Sequence, residues 1–453
     1  MENRKTLREK LQALPCHFTW DFEFEDQADV EHLLKYLTLQ VKHTLCQNRD
    51  TYVTMKAFLY HHQRRYSDAL KSLREAEHIL AQDHPDNLLR QAVLTYGNYA
   101  WIYYHLSNYK MVQRYLDHIA ELGRSLCSPH PFPTGLPEIL AQKGWSLLVA
   151  GVQRGVEAKE CFEGARRRDP SNNQLQTGLA MALYAAWEHL QSDPYREKAT
   201  EMLEEVVLHQ PENFETKIYL ARLLLQKDEQ RARTLLEEVA ERSLNPEVLR
   251  RAAKLCLRDP PLLSRAISIL KKAIALDSSY HILYYDLGMC YKAQMEGASP
   301  ERKSSLLTFA GENFHQAVQM NAFFVDPMLE LATIYGEGLL AYEEEIYAHL
   351  VEEAPNISKQ CLQALYLQWG DFLLQKKNQK QEALEKYMAG ICIAGGLGKK
   401  LLVRRLMSLA HMFWEDSQTA RADTIYSFLQ TVHYEEPGPG SEELWWHNHR
   451  ALR

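Results

Sequence analysis

One residue pattern constrains this chain more than any other. Over Val156–Pro170 (VEAKECFEGARRRDP), Ala158, Phe162, Ala165 and Pro170 recur at steps of four, three and five. A small residue, an aromatic and a second small residue thus share one helical face, and a proline follows that cannot continue the helix. The small positions admit a neighbouring backbone, and the aromatic fills the space between helices. The pattern returns at Ala199/Leu203/Val206/Pro211 and at Ala310/Phe314/Ala317. Repetition of this kind specifies stacked helical hairpins, each burying its apolar face on its neighbours.

This small–aromatic–small code is that of the second helix of a tetratricopeptide-type hairpin. An array of such hairpins reconciles 453 residues with the lack of any Pro/Gly/Ser-rich linker, because no single large core is needed. A net charge of −7 argues against a surface built as a whole for nucleic acid, while leaving room for a local basic patch. The eight cysteines (Cys16, Cys46, Cys127, Cys161, Cys256, Cys290, Cys361 and Cys392) are scattered without a CxxC pair and read as buried thiols in a reducing compartment. The opening MENRKTLREK lacks an apolar targeting core and no run is long enough to span a bilayer, so a soluble cytoplasmic protein is expected.

Taken in order, Thr6-x-x-Glu9 reads as a capping box opening a helix through Leu7, Leu11 and Leu14, with Pro15 as its stop. Cys16-His17-Phe18-Thr19-Trp20 either plugs the end of the helical stack or presents an aromatic to a ligand. Val30, Leu34, Leu37 and Val41 mark the next helix, with Gln40 beside the stripe. The repeats then run through Ala57/Ala69/Leu73/Ala76, Ala100/Val112/Leu116/Ile119, and Gly144-Trp145 with the Val156–Pro170 segment. Leu179–Pro211 follows, with an insertion expected near Ser192-Asp193-Pro194, then Ala221/Ala232/Leu236/Val239 and Ala253/Ala266/Leu270/Ala273. Leu287-Gly288-x-x-Tyr291 precedes a polar QMEGASPERKSSL read as a long loop before a helix from about Ala310. Leu331/Ala332/Tyr335 with Tyr347, Leu350 and Pro355, then Trp369-Gly370 with Ala383, Tyr387 and Gly390, then Leu409/Ala410/Phe413 with Ala422, Tyr426 and Leu429 complete the series. Strand periodicity never persists, so the expected fold is all-α: a tetratricopeptide superhelix of about ten hairpins. The expected organisation is capping helices at 1–50, repeats at 51–245 and 246–434, and a flexible tail at 435–453 bearing Trp445-Trp446.

Patterns that carry catalysis are missing: no HExxH, GxSxG, CxxC or EF-hand occurs, and no cofactor or metal is implied. His61-His62 and His447/His449 do not suit a metal, since neighbours on a helix point apart. Ala394–Lys400 imitates a phosphate loop, but Ile393 stands where the loop needs Gly and Lys400 where it needs Ser or Thr, so it reads as a connector. Arg166-Arg167-Arg168 ends a helix, where cations offset the terminal carbonyls. Arg250 and Lys254, at i and i+4 opposite Ala253, are expected to project into the groove; either an anionic ligand or inter-repeat salt bridges account for them.

Five segments together resemble the interferon-induced proteins with tetratricopeptide repeats: CHFTW at 16–20, YGNYAWIYYH at 96–105, GWSLL at 144–148, VLRRAAK at 248–254 and GMCYKAQM at 288–295. The resemblance covers roughly 6–430 and implies a non-enzymatic, interferon-inducible antiviral effector in the cytoplasm. Some members of that family hold the 5′ end of viral RNA, with a triphosphate or an incompletely methylated cap, while others act through related family members as protein adaptors. By the same resemblance Gln40, Arg250 and Lys254 match phosphate-contacting residues. Val149 and Ala185 replace cations of the RNA-binding members, Tyr36 replaces a Thr and Glu247 an aromatic. At about 1.5–3 kcal/mol per charge-assisted contact, losing two cations and gaining the Glu247 carboxylate are expected to weaken triphosphate binding by several kcal/mol. A chaperone-type clamp on an acidic C-terminal peptide is a further alternative.

Overall fold

Glycine against aromatic is the contact from which the fold is built. In the computed structural model, Phe162 is fully buried, and a methyl group added at Gly144 would lie 2.7 Å from its ring, one at Gly178 only 2.3 Å. Phe314 meets Gly288 in the same way at 2.5 Å, and Tyr387 meets Gly370 at 2.3 Å. The ring on the second helix of a hairpin therefore fills a notch that only a missing side chain can leave on the first. The structure describes residues 4–431 apart from 23, 25–26, 45–47, 127–131, 133–134, 258–259, 322–324, 337–339, 353–358 and 394–397.

The chain divides into two compact units, Met1–Leu255 and Cys256–Arg453. Among the described residues all regular structure is helical. The first unit opens with α1 (Arg4–Gln12), a 3-10 turn at His17–Thr19 and α2 (Gln27–His43). Hairpins follow: α3 (Arg49–His62) with α4 (Tyr66–Asp83), then, after the short α5 (Leu88–Gln91), α6 (Val93–His105) with α7 (Tyr109–Ser125). Next come α8 (Pro137–Ala150) with α9 (Gly155–Arg166), α10 (Asn173–Leu190) with α11 (Asp193–His209), and α12 (Phe214–Leu224) with α13 (Glu229–Arg242). α14 (Pro246–Leu257) carries the chain out of this unit, its last two residues belonging to the second, where α15 (Leu263–Leu276) follows. There α16 (His281–Gln294) pairs with α17 (Pro300–Met320), α18 (Val325–Gly336) with α19 (Leu340–Glu352), α20 (Lys359–Gln375) with α21 (Lys380–Ile391), and α22 (Lys399–Glu415) with α23 (Thr419–Thr431).

The turns are as regular as the packing. Arg64, Ser107, Gln191, Asn378 and Ser417 hold φ of +50° to +61°, each one to three residues after the first helix of a hairpin. A single left-handed residue there reverses the chain in a few residues. Asn108, Asn172, Asn213 and Asp228 then cap the following helices by accepting backbone N–H bonds.

Several expectations are corrected. Thr6 lies inside α1, which already runs from Arg4, so it is no N-cap. No insertion separates α10 from α11: only Gln191 and Ser192 intervene, and the extra residues lengthen the two helices to 18 and 17. α17 begins at Pro300, not near Ala310; Pro300 in the first turn starts it, and its exposed early turns carry no apolar stripe because little packs over them. Between Ala422 and Leu429 on α23 the buried residue is Ile425, whereas Tyr426 is exposed, a shift of one position. Cys16, Cys256 and Cys290 are buried, but Cys392, at the end of α21, is exposed. The tail, His447/His449, Pro355, Cys46 and Cys127 lie outside the described residues.

In the CHFTW segment Phe18 packs on Phe58 of α3 and Trp101 of α6, and His17 reaches Ser146 of α8. Asn98 Nδ2 donates to His17 Nδ1 at 2.9 Å, which assigns the ring proton to Nε2, 3.0 Å from Ser146 Oγ. Ser146 Oγ in turn donates to the Gln142 carbonyl. Burial lowers the His17 pKa to about 3, so the ring is a neutral strut between hairpins. The connector after α21 is held by buried Gln363, which donates to the Ile393 carbonyl at 3.0 Å and accepts from Gly398 N–H at 2.9 Å. Arg168 donates to the Gly164 carbonyl at 3.1 Å, the helix-end role expected of that cluster.

Candidate functional site

The residues singled out in the sequence lie in the first unit: Tyr36 and Gln40 on α2, Val149 on α8, Ala185 on α10, and Glu247, Arg250 and Lys254 on α14. Gln40, near the end of α2, is buried, as is Arg250 on α14; Lys254, one turn further on, is partly buried. Tyr36, one turn before Gln40, lies within electrostatic reach of α14: burial raises its pKa, Arg251 and Arg250 oppose the rise, and Glu247 and Glu215 add to it. Tyr36 therefore lies beside the α14 charges, with Gln40 one turn further along α2.

Arg250 is almost wholly withdrawn from water. Glu247, the residue that replaces an aromatic, sits one turn before it with Oε2 3.2 Å from Arg250 Nε, both side chains 6% exposed. Charge burial is tolerable only with a counter-charge, and the i, i+3 spacing supplies one.

Arg251 is the residue that sequence reasoning missed. Its Nε donates to Glu247 Oε1 at 3.0 Å, and one terminal nitrogen donates to Glu215 Oε1 at 2.6 Å and to Tyr219 Oη at 2.8 Å. Burial by itself would lower the Arg251 pKa; Tyr219, Glu215, Glu247 and Tyr36 outweigh it and hold the guanidinium well above its ordinary value. A parallel pair stands one hairpin earlier: Arg222 on α12 donates to Glu188 on α10 at 2.6 Å and lies 5.7 Å over the Tyr184 ring. Tyr184 and Tyr219 pack with centroids 4.7 Å apart, so the wall alternates rings and ion pairs. The available signal was Glu247 at i−4 from Arg251, a helix-stabilising pair in its own right.

Val149 and Ala185 are engaged in apolar packing. Val149 packs against the apolar cluster of α2 and α3 that holds Leu34, Leu37, Met55 and Leu59, and Gly155 approaches the backbone at Ala185 and Ala186 so closely that a methyl group on it would lie 2.4 Å from Ala186 N. His61 and His62 make an edge contact with ring centroids 5.8 Å apart, and His61 faces His105 at 4.4 Å. Among the described residues no group of three potential metal ligands converges, and no helix is long and apolar enough to cross a membrane.

Helical hairpins with a glycine notch facing an aromatic ring define an all-α tetratricopeptide-repeat protein. No protein-family model matches the chain. It is 28% identical over 459 residues to "Interferon-induced protein with tetratricopeptide repeats 2" of Homo sapiens, spanning 95% of this chain and 93% of the relative. It is 29% identical over 407 residues to "Antiviral innate immune response effector IFIT1" of Homo sapiens, 85% of this chain and 84% of that one. The solved structure "Human IFIT1 dimer with PPP-AAAA" superposes with a TM-score of 0.60 at 27% identity, covering 98% of this chain and 99% of that one. The resemblance to the interferon-induced proteins with tetratricopeptide repeats therefore extends over most of the chain, in sequence and in fold.

Proposed function

We propose that this protein is an interferon-induced antiviral effector of innate immunity that binds the 5′ end of viral RNA, bearing a triphosphate or an incompletely methylated cap, and so blocks its use. The observation that carries this reading is its likeness, over nearly the whole chain, to an IFIT1 dimer solved with PPP-AAAA. Gln40 and Arg250, buried on α2 and α14, together with Lys254, are the groups that the proposal assigns to the 5′ phosphates through charge-assisted hydrogen bonds. The protein works by binding, without catalysis or cofactor, in the cytoplasm, alone or assembled with related repeat proteins.

A second reading is favoured by one observation: Glu247 and Glu215 already hold Arg250 and Arg251. A site neutralised from within suits a protein-interaction adaptor that joins related family members and has weak intrinsic RNA affinity. Filter binding of RNAs identical except for triphosphate, capped and hydroxyl 5′ ends separates the two. The RNA reading expects end-dependent binding that weakens with rising salt and is abolished by Arg250→Glu with Lys254→Glu. Equal, weak binding of all three RNAs, with partner capture unaffected by the double substitution, would transfer the assignment to the adaptor.

A further inference from the structure

Two adjacent arginines and a lysine on two turns of α14 would make a strong anion site if their charges were unopposed. They are not unopposed. Glu247 lies between the two guanidiniums, one carboxylate oxygen on Arg250 and the other on Arg251, and Glu215 reaches across from α12 to Arg251. Two carboxylates thus balance two guanidiniums, and Arg222 with Glu188 is balanced again one hairpin earlier. Glu247 and Arg250 are almost wholly removed from water, where Coulomb interactions are strongest and least screened by salt.

A phosphate entering this wall must either displace a carboxylate from its guanidinium or remain beside it. The cost of either grows with each negative charge the phosphate brings. A free 5′-triphosphate carries about four charges at neutral pH. In a cap the outer phosphate is esterified, which removes about one charge, and a methylated guanine adds a positive one that suits a wall of tyrosines and carboxylates. Resting on the RNA-end reading above, we propose that Glu247, assisted by Glu215, is the specificity-determining residue of this site: an internal counter-anion that biases it against the free triphosphate and towards the capped end.

The test compares wild type, Glu247→Gln and Glu215→Gln as full-length chains. Each is titrated with RNAs of one sequence ending in triphosphate, Gppp or m7Gppp, and with inorganic tripolyphosphate followed by thermal shift. Wild type is expected to bind capped RNA more tightly than triphosphate RNA. Glu247→Gln should tighten triphosphate binding by on the order of tenfold, with little change for m7Gppp RNA, and tripolyphosphate should raise its melting temperature more than that of wild type. Should Glu247→Gln fail to fold because its arginines lose a buried partner, Glu215→Gln makes the same comparison, since Arg251 there keeps Glu247. A capped-to-triphosphate ratio unchanged within twofold in the folded variants overturns the filter while leaving RNA binding intact. If no RNA binds any form, but tripolyphosphate stabilises the variant selectively, the counter-anion role stands and the RNA reading falls. Tripolyphosphate acting alike on all three forms, without RNA binding, overturns both.

Discussion

Replacing Gly178 by Ala is a substitution that helix propensity favours and tertiary packing forbids. In the middle of α10 an alanine would gain up to about 1 kcal/mol over glycine. The new methyl group, however, would sit 2.3 Å from Phe162 Cε1 and 2.6 Å from Cδ1 and Cζ. The ring cannot retreat, because Gly144 on α8 confines its opposite edge just as closely, and Phe162 is fully buried. Overpacking of this kind costs about 1–3 kcal/mol, so the net expectation is a destabilisation of about 1–2 kcal/mol. In a Phe162→Leu background the obstruction is gone and the same Gly178→Ala change should become neutral or stabilising, a coupling of about 2 kcal/mol in a double-mutant cycle. Urea unfolding followed by circular dichroism gives the four stabilities. Hydrogen exchange of α8–α10 amides reads the effect locally, which matters in a repeat array whose hairpins open separately. Additivity within about 0.5 kcal/mol would refute the ring-in-notch account of these hairpins.

Other outcomes follow from the same contacts. Gly288→Leu should destabilise the second unit by about 1–3 kcal/mol or more, since even its Cβ would meet the Phe314 ring at 2.5 Å; an unchanged melting curve would show that the two do not pack. His17, with a pKa lowered to about 3 from 6.5, keeps its contribution above pH 6.5 and loses it as the pH falls towards 3, at roughly 1.4 kcal/mol per pH unit, because only the unfolded chain takes up the proton. His61, lowered to about 4, acts in the same sense, while burial raises the Asp50 pKa and acts in the opposite one; a His17→Gln variant should therefore show a shallower acid slope in stability measured from pH 7 to pH 4. Gln363→Ala should cost about 1–3 kcal/mol and speed exchange of the Gly398 amide, because it removes both side-chain bonds that hold the connector before α22.

What the sequence determined by itself was the hairpin. Ala158, Phe162 and Ala165 share a face because helical geometry repeats every few residues, and that face is buried whatever the rest of the chain does. Gly144, Gly288 and Gly370 stood out in the sequence as marks of first helices, but that each is a notch for an aromatic ring, and that Gly178 is another, is decided by the packing. The helical rule failed where local pattern thins out: α17 begins at Pro300 in turns that bury little, and α23 buries Ile425 rather than Tyr426, neighbours that a periodicity argument separates poorly. The charge state of the candidate site was decided only by tertiary structure. Glu247 could be read as a neighbour of Arg250 and Arg251 from its spacing, but Glu215 and Tyr219 are 36 and 32 residues away from Arg251 and meet it because α12 and α14 lie side by side. Helical periodicity says which way a side chain points along its own helix. Which acceptor waits there depends on how one hairpin is laid against the next, and that is set by the packing of the notches rather than by the charged residues themselves.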